Sequence, residues 1–175
     1  MTSVSIRDAK LSEAAAIATL HATSWMSAYR GLLSDAYLDN NLEGERKKYW
    51  LEKMPTIKDN EFVLVAELGG ELVGFVAVLD QPDAGFDALV DNLHVRPDLK
   101  GHGIGSELLR AVANRLLATH RNSFYLFVLQ GNTSAENFYL AKGGTAMDIL
   151  THEFGGRVVK ATRFAWQLEQ LKDNE

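Results

Sequence analysis

The residues best suited to chemistry gather between Leu89 and Leu109, in LVDNLHVRPDLKGHGIGSELL. Lys100-Gly101-His102-Gly103-Ile104-Gly105-Ser106 places three glycines within five residues, directly before a helical pattern. Glycines tolerate positive φ and leave backbone N–H groups uncovered. The N–H groups of a helix's first turn have no partner inside the helix. With the helix dipole they form a cradle for an anion, most often a phosphate. Such a loop suits a dinucleotide binder, a P-loop or a tight turn without a ligand. The P-loop pattern Gly-x-x-x-x-Gly-Lys-[Ser/Thr] is absent, and Gly101-x-Gly103-x-Gly105 departs from the dinucleotide fingerprint Gly-x-Gly-x-x-Gly. Asp91 and His94 precede the loop, and a histidine there is a base on pKa grounds. The chain has no cysteine, which excludes disulfides, a thiol nucleophile and thiolate metal sites.

The wider pattern Val95-x-Pro97-x-x-Lys100-Gly101-x-Gly103-Ile104-Gly105 resembles the acetyl-CoA-binding motif of the GNAT N-acetyltransferase superfamily, usually written Gln/Arg-x-x-Gly-x-Gly/Ala. Lys100 takes the Gln/Arg place and keeps the positive charge. The resemblance implies that the N–H groups of Gly101, His102, Gly103, Ile104, Gly105 and Ser106 hold the pyrophosphate of coenzyme A. It also implies that the main chain of Leu93, His94 and Val95 pairs with the pantetheine arm as an added strand. Asn132-x-x-Ala135-x-x-Phe138-Tyr139-x-x-x-Gly143 is similar to the family's second stretch, Asn-x-x-Ala-x-x-Phe-Tyr-x-x-x-Gly-Phe. That similarity implies that Asn132, Ala135 and Tyr139 meet the cofactor, with Tyr139 as general acid toward the sulfur. Gly144 stands where the family carries phenylalanine. Ser24-Trp25-x-x-Ala28-Tyr29-Arg30-Gly31-Leu32-Leu33 resembles the opening helices of bacterial GNAT proteins, which implies acceptor contacts for Trp25, Tyr29 and Arg30.

Acetyl transfer to an amine needs a polarised thioester, a neutral amine and a proton for the leaving thiolate, whose thiol has an ordinary pKa of about 8.5. No covalent nucleophile is needed when both substrates bind together. The resemblance thus implies an acetyl-CoA-dependent N-acetyltransferase, without a metal, acting on a primary amine by direct attack in a ternary complex. The amine belongs to a small molecule, a protein N-terminus or a lysine. Many relatives place a glutamate base six residues before the valine, where this chain has Leu89. Asp91 shares Leu89's face by strand alternation and could collect a proton through water. His94 lies on the opposite face, His152 and Glu153 are more remote, and the amine could instead lose its proton to solvent. Leu89 equally suits a non-catalytic acyl-CoA-binding or sensing module on the same fold. The glycine loop alone would suit a nucleotide-binding protein.

The elements that must position these residues follow from periodicity. Ser3 to Arg7 alternates as a first strand, and Asp8 or Ser12 caps a helix that runs to Tyr29 and ends at Gly31. Helix starts follow at Ser34 and Leu42, the second bearing Tyr49, Trp50 and Met54 on one side. Trp25, Tyr29, Tyr37, Tyr49 and Trp50 serve as core, as a lid over an acceptor pocket, or both. Glu61–Leu68 and Glu71–Asp80 form a hairpin through Gly69-Gly70. Ile104, Leu108, Val112 and Leu116 recur as one helical stripe. Phe124–Leu129 reads as a strand buried on both faces. Thr133-Ser134-Ala135-Glu136 forms a capping box, and two closing β runs meet at Gly155-Gly156. The result is a mixed, mostly antiparallel α/β sheet flanked by helices. The GNAT resemblance adds that the fourth and fifth strands splay. One domain spans 1–170, and 171–175 is a polar tail.

At 175 residues the chain suits a single core. A net charge of −5 argues against broad nucleic-acid affinity. No apolar run approaches the roughly 18 residues that span a membrane. A polar start without an apolar stretch points to a cytoplasmic protein. The resemblance leaves a homodimer open, with the closing strands as its interface.

Overall fold

Antiparallel pairings and one parallel pairing build the sheet. The structure is a computed structural model that describes residues 3–154 and 157–169, the side chain of Phe154 excepted. The elements are β1 (Ser5–Asp8), α1 (Ala14–Ala28), α2 (Leu42–Lys53), β2 (Phe62–Leu68), β3 (Glu71–Leu79), β4 (Leu89–Val95), α3 (Ile104–Ala118), β5 (Ser123–Leu129), α4 (Thr133–Ala141), β6 (Thr145–Phe154) and β7 (Arg157–Gln167). The strands bond in the order β1-β2-β3-β4-β5-β7-β6. Pairing is antiparallel at β1–β2, β2–β3, β5–β7 and β6–β7, and parallel at β4–β5. The β4–β5 register is confined to Leu89↔Tyr125. The expected mixed, mostly antiparallel sheet with flanking helices is present. The chain divides into two compact units, Met1–Val78 with Asn92–Ala111, and Leu79–Asp91 with Val112–Glu175. No helix among the described residues is long and apolar enough to cross a membrane. The expected 171–175 tail and Gly155-Gly156 turn lie outside the described residues.

In the first unit, Val63, Val65, Phe75 and Ala77 share one face of β2–β3 and pack with Ala14, Ile17, Ala18 and Leu20 of α1, Trp50 of α2 and Met54. On the other face, Gly74 omits a side chain. A Cβ there would stand 3.2 Å from Ile104 Cγ2, from Leu108 Cδ1 and from the His94 carbonyl oxygen. The gap lets the first turns of α3 close onto β3. Ile104, Leu108, Val112 and Leu116 are all buried, as their period requires.

Two boundaries differ from expectation. Neither Asp8 nor Ser12 caps α1. Asp8 ends β1, and a 3₁₀ turn at Leu11–Glu13 comes first, with Glu13 accepting from the Lys10 N–H (2.7 Å). Arg7 holds that carboxylate (2.7 Å) and also bonds Glu67 (2.8 Å), so a tertiary ion pair decides the start of the helix. The two helices expected from Ser34 and Leu42 are instead one helical run from Asp35, interrupted by a π-helical turn at Tyr37–Asn41.

The centre of the first unit holds two histidines. His21, 0% exposed, accepts at Nδ1 from Trp50 Nε1 (2.9 Å). His94 accepts at Nε2 from Trp25 Nε1 (3.3 Å), and its Nδ1 lies 2.8 Å from Ser24 Oγ. Indole N–H only donates, so a neutral His94 carries its proton on Nδ1 and donates to Ser24. The imidazole rings are 4.6 Å apart. Burial lowers both pKa values, His94 to about 3 with help from the charges of Lys100 and Arg46, and His21 well below its ordinary value with help from His94 and Arg46.

In the second unit, β5 stacks Phe124 on Trp166 of β7 (4.7 Å between centroids). Trp166 Nε1 donates to the Lys142 carbonyl (3.0 Å), and its ring meets Tyr139 edge-on at 5.7 Å. A Cβ on Gly144 would lie 2.5 Å from Trp166 Cζ2 and 2.9 Å from the Tyr139 carbonyl. Trp166 thus takes the space that a phenylalanine after Gly143 would need. The expected capping box is replaced by a simple N-cap one residue earlier. Asn132, not Thr133, is the cap of α4, its side chain accepting from the Ala135 N–H (3.4 Å).

Two stability predictions follow from this packing. Both histidines fold neutral with depressed pKa values, so their contribution is complete above the ordinary pKa of about 6.5 and is lost as pH falls from there toward His94's folded value of about 3. Tm should decline below pH 6.5, with a shallower slope in His94→Gln; equal slopes would refute this linkage. Gly144→Ala should overpack the Trp166 site and cost about 1–3 kcal/mol, a fall in Tm of roughly 2–12 °C. A wild-type Tm would show that the tryptophan yields freely.

Candidate active site

Chain exit from β4 is fixed before the glycine loop begins. The Arg96 N–H donates to the Val73 carbonyl (2.8 Å), and its guanidinium pairs with Asp98 (2.7 Å) and Glu71 (3.1 Å). A 3₁₀ turn at Pro97–Leu99 leads into the loop. Gly101 and Gly103 each have φ +83°, a left-handed conformation that favours glycine, with nothing within 4 Å of an added Cβ. Gly105 instead lies inside α3, so only two of the three glycines use their conformational freedom. The Glu107 N–H donates to the Gly103 carbonyl (3.0 Å). The N–H groups of Ile104, Gly105 and Ser106 precede that bond in the first turn, where the helix offers them no acceptor. His102 Nδ1 lies 3.2 Å from the carbonyls of Leu99 and Lys100, drawing its side chain back over the loop. Open space beside left-handed glycines, first-turn N–H groups and the Lys100 cation fit a pyrophosphate.

Leu93, His94 and Val95 complete β4 beside this loop. His94, a base candidate on pKa grounds, is held neutral with both ring nitrogens engaged. Its ring is a structural anchor, and its main chain is the part suited to a strand-like ligand.

Trp25 and Tyr29 come together near His94, with Trp25–Tyr29 centroids at 5.4 Å. Burial pushes the Tyr29 hydroxyl up to about 12. Arg30 does not join them. It is 43% exposed and bonds Asp39 (2.7 Å) and Asp35 (3.1 Å), which tie it to the start of the π-turned helix. Sequence reasoning missed Arg46, whose guanidinium lies over Trp25 (4.8 Å) and Tyr49 (5.0 Å). It also missed His21 and Ser24. These residues converge from α1, α2 and β4, so no short-range spacing links them.

In the second unit, Tyr139 of α4 is 7% exposed and packs against Trp166 and, at 6.1 Å, Phe164. Ala135 lies one helical turn before it, and the cap engages the Asn132 side-chain oxygen. Leu89 is 6% exposed and clusters with Phe86, Tyr125 and Ala165, so the place of the family glutamate is an apolar seal. Asp91 is exposed, and its charge, after burial and Asp83, helps to raise the Tyr125 hydroxyl, which donates to the Gln81 carbonyl (2.8 Å). His152 lies against Phe127 (4.7 Å), its Nε2 buried without a hydrogen-bond partner among the described residues, whereas Glu153 is exposed. Arg163, also missed, is buried over Tyr125 (5.0 Å) and Phe127 (5.2 Å) and paired with Asp83 (3.1 Å) and Asp148 (2.9 Å). One guanidinium thus bridges two carboxylates. No cluster of His, Asp or Glu suited to a metal occurs among the described residues.

Comparison with known proteins gives these features a context. The sequence model of the acetyltransferase (GNAT) family matches residues 23–143. An uncharacterized N-acetyltransferase of Archaeoglobus fulgidus is 30% identical over 139 residues, covering 75% of this chain and 86% of that protein. Among solved structures, the PaiA N-acetyltransferase from Thermoplasma acidophilum, in complex with coenzyme A, superposes with a TM-score of 0.75 at 19% identity, covering 94% of this chain and 99% of that one. The Salmonella typhimurium protein YncA, with its cofactor acetyl-CoA, gives 0.67 at 21% identity, covering 95% and 94%. The matched span opens just before Trp25 and closes on the glycine that ends the Tyr139 helix, and the chain belongs to the acetyltransferase (GNAT) family as an acetyl-CoA-dependent enzyme.

Proposed function

We propose that the protein moves the acetyl group of acetyl-CoA to a primary amine, of a small molecule or of a protein N-terminus or lysine, by direct attack in a ternary complex. One domain over 1–170 carries the reaction; the family match across both compact units supports that reading. The observation that carries the function is the loop at the start of α3, where Gly101 and Gly103 adopt φ +83° and uncover the first-turn N–H groups. Gly101 to Ser106 hold the pyrophosphate, and the main chain of Leu93 to Val95 pairs with the pantetheine arm.

The amine nitrogen attacks the thioester carbonyl carbon, the new N–C bond forms and the C–S bond breaks. Tyr139 gives its hydroxyl proton to the leaving sulfur. Asp91, exposed to water, collects the proton released by the amine. Leu89 removes the nearer carboxylate, so a water between the amine and Asp91 completes the path. The apolar seal around Leu89 would equally suit a binder without turnover; relatives named as N-acetyltransferases favour the enzyme.

Tyr139→Phe keeps the ring against Trp166 and Phe164 and removes only the hydroxyl. Turnover should fall about a hundredfold or more while coenzyme A affinity is nearly kept. Unchanged turnover, followed as free-thiol release, would remove the acid role. Gly103→Ala places a side chain in a left-handed conformation at a cost of about 1–2 kcal/mol, so calorimetry should show coenzyme A binding weakened about tenfold. Wild-type affinity in that variant, or no binding of acetyl-CoA by the wild type at millimolar concentration, would overturn the cradle.

A further inference from the structure

We infer that Arg46 is an oxyanion-binding residue of the acceptor site, and that the acceptor is an amine carrying a carboxylate or a phosphonate-like group. The inference rests on the acetyltransferase reading above and specifies its substrate. Its basis is how this chain treats its guanidinium groups. Arg7 meets Glu13 and Glu67, Arg30 meets Asp35 and Asp39, Arg96 meets Asp98 and Glu71, and Arg163 meets Asp83 and Asp148. Arg46 is more enclosed than the first three, with a side chain 16% exposed. Yet among the described residues its one carboxylate neighbour is the adjacent Glu45, at 3.9 Å. Its Nε is buried with no hydrogen-bond partner among the described residues.

The rings of Trp25 and Tyr49 face this cation, and aromatic faces attract a cation without supplying an acceptor for its N–H groups. The two nearby imidazoles are neutral, and Arg46 helps to keep them so. Among the described residues no carboxylate other than Glu45 approaches the fork. A largely buried guanidinium whose Nε has no hydrogen-bond partner among the described residues suits an oxyanion with two adjacent oxygens, which it can bind through two parallel hydrogen bonds. Arg46 stands over Trp25, which bonds the ring of His94 on β4, the strand whose main chain is assigned to the donor arm. An oxyanion bound there would hold its amine near the thioester. This deepens the amine assignment: a purely cationic amine would meet Arg46 as a like charge.

The test uses the intact protein with acetyl-CoA and follows thiol release for matched acceptors: amino acids, their carboxamides and the corresponding aminoalkyl phosphonates. Acids or phosphonates should exceed the amides in kcat/KM by about tenfold to a hundredfold, mainly through KM. A preference for phosphonates over acids would identify a phosphoryl-type oxyanion; the reverse identifies a carboxylate. In Arg46→Gln the ratio of acid to amide should fall to unity, and Arg46→Lys should retain part of it. Coenzyme A binding by each variant checks folding, and the wild-type comparison decides the matter if a variant does not fold. Equal use of acids and amides by the wild type, or a ratio retained in Arg46→Gln, would overturn the inference and leave the acetyltransferase reading intact. Bound acetyl-CoA with no turnover of any acceptor would overturn both.

Discussion

The close approach of α3 to Gly74 is the contact on which the proposed cofactor cradle depends. Three heavy atoms, from His94, Ile104 and Leu108, already stand 3.2 Å from where a side chain at that position would begin. Because nothing is there, the apolar stripe of α3 seats directly on β3, and its first turn is held at the end of β4. The loop between must then cover a short span and reverse sharply, which two left-handed glycines allow. On the proposed reading, anion binding is therefore a by-product of packing. The helix is placed by its buried stripe, and its uncovered N–H groups are what remains at the end nearest the strand.

A second constraint is electrostatic. Burying two imidazoles side by side favours their neutral forms, and the indoles of Trp25 and Trp50 fix which nitrogen of each accepts. The ring of His94 therefore cannot act as the base while this network stands, despite its position beside the loop. With that ring neutral and Leu89 sealed among apolar side chains, the carboxylate left on β4 is Asp91, which faces water. On the proposed reading, the chain separates holding the donor, assigned to loop and strand backbone, from deprotonating the acceptor, assigned to the solvent-facing carboxylate.

Local periodicity made most of the elements readable. Ile104, Leu108, Val112 and Leu116 announced α3 at the correct residues, and Gly69-Gly70 announced the β2–β3 hairpin. The Asn132–Gly143 stretch announced α4, although of the two good caps, Asn132 and Thr133, the helix uses the first. What could not be read was convergence. Trp166 fills the place left by Gly144 from 22 residues away. Arg46 meets Trp25 and Arg163 meets Tyr125 because separate elements pack, and Arg30 turns outward because Asp35 and Asp39 attract it. The placement of β7 between β5 and β6 likewise has no signature in composition.

The π-helical turn at Tyr37–Asn41 has a consequence for how such a site can diverge. An α-helix advances about 100° per residue, and a π turn accommodates one extra residue without breaking the rod. Every side chain after it, including Arg46, Tyr49 and Trp50, takes its direction from that single inserted step. Losing one residue within the turn would restore the ordinary phase and swing Arg46 off the Trp25 ring while leaving the chemistry of every side chain unaltered. On the proposed role of Arg46, chain length in this segment, as much as residue identity, would then set which acceptors a descendant of this protein could recognise.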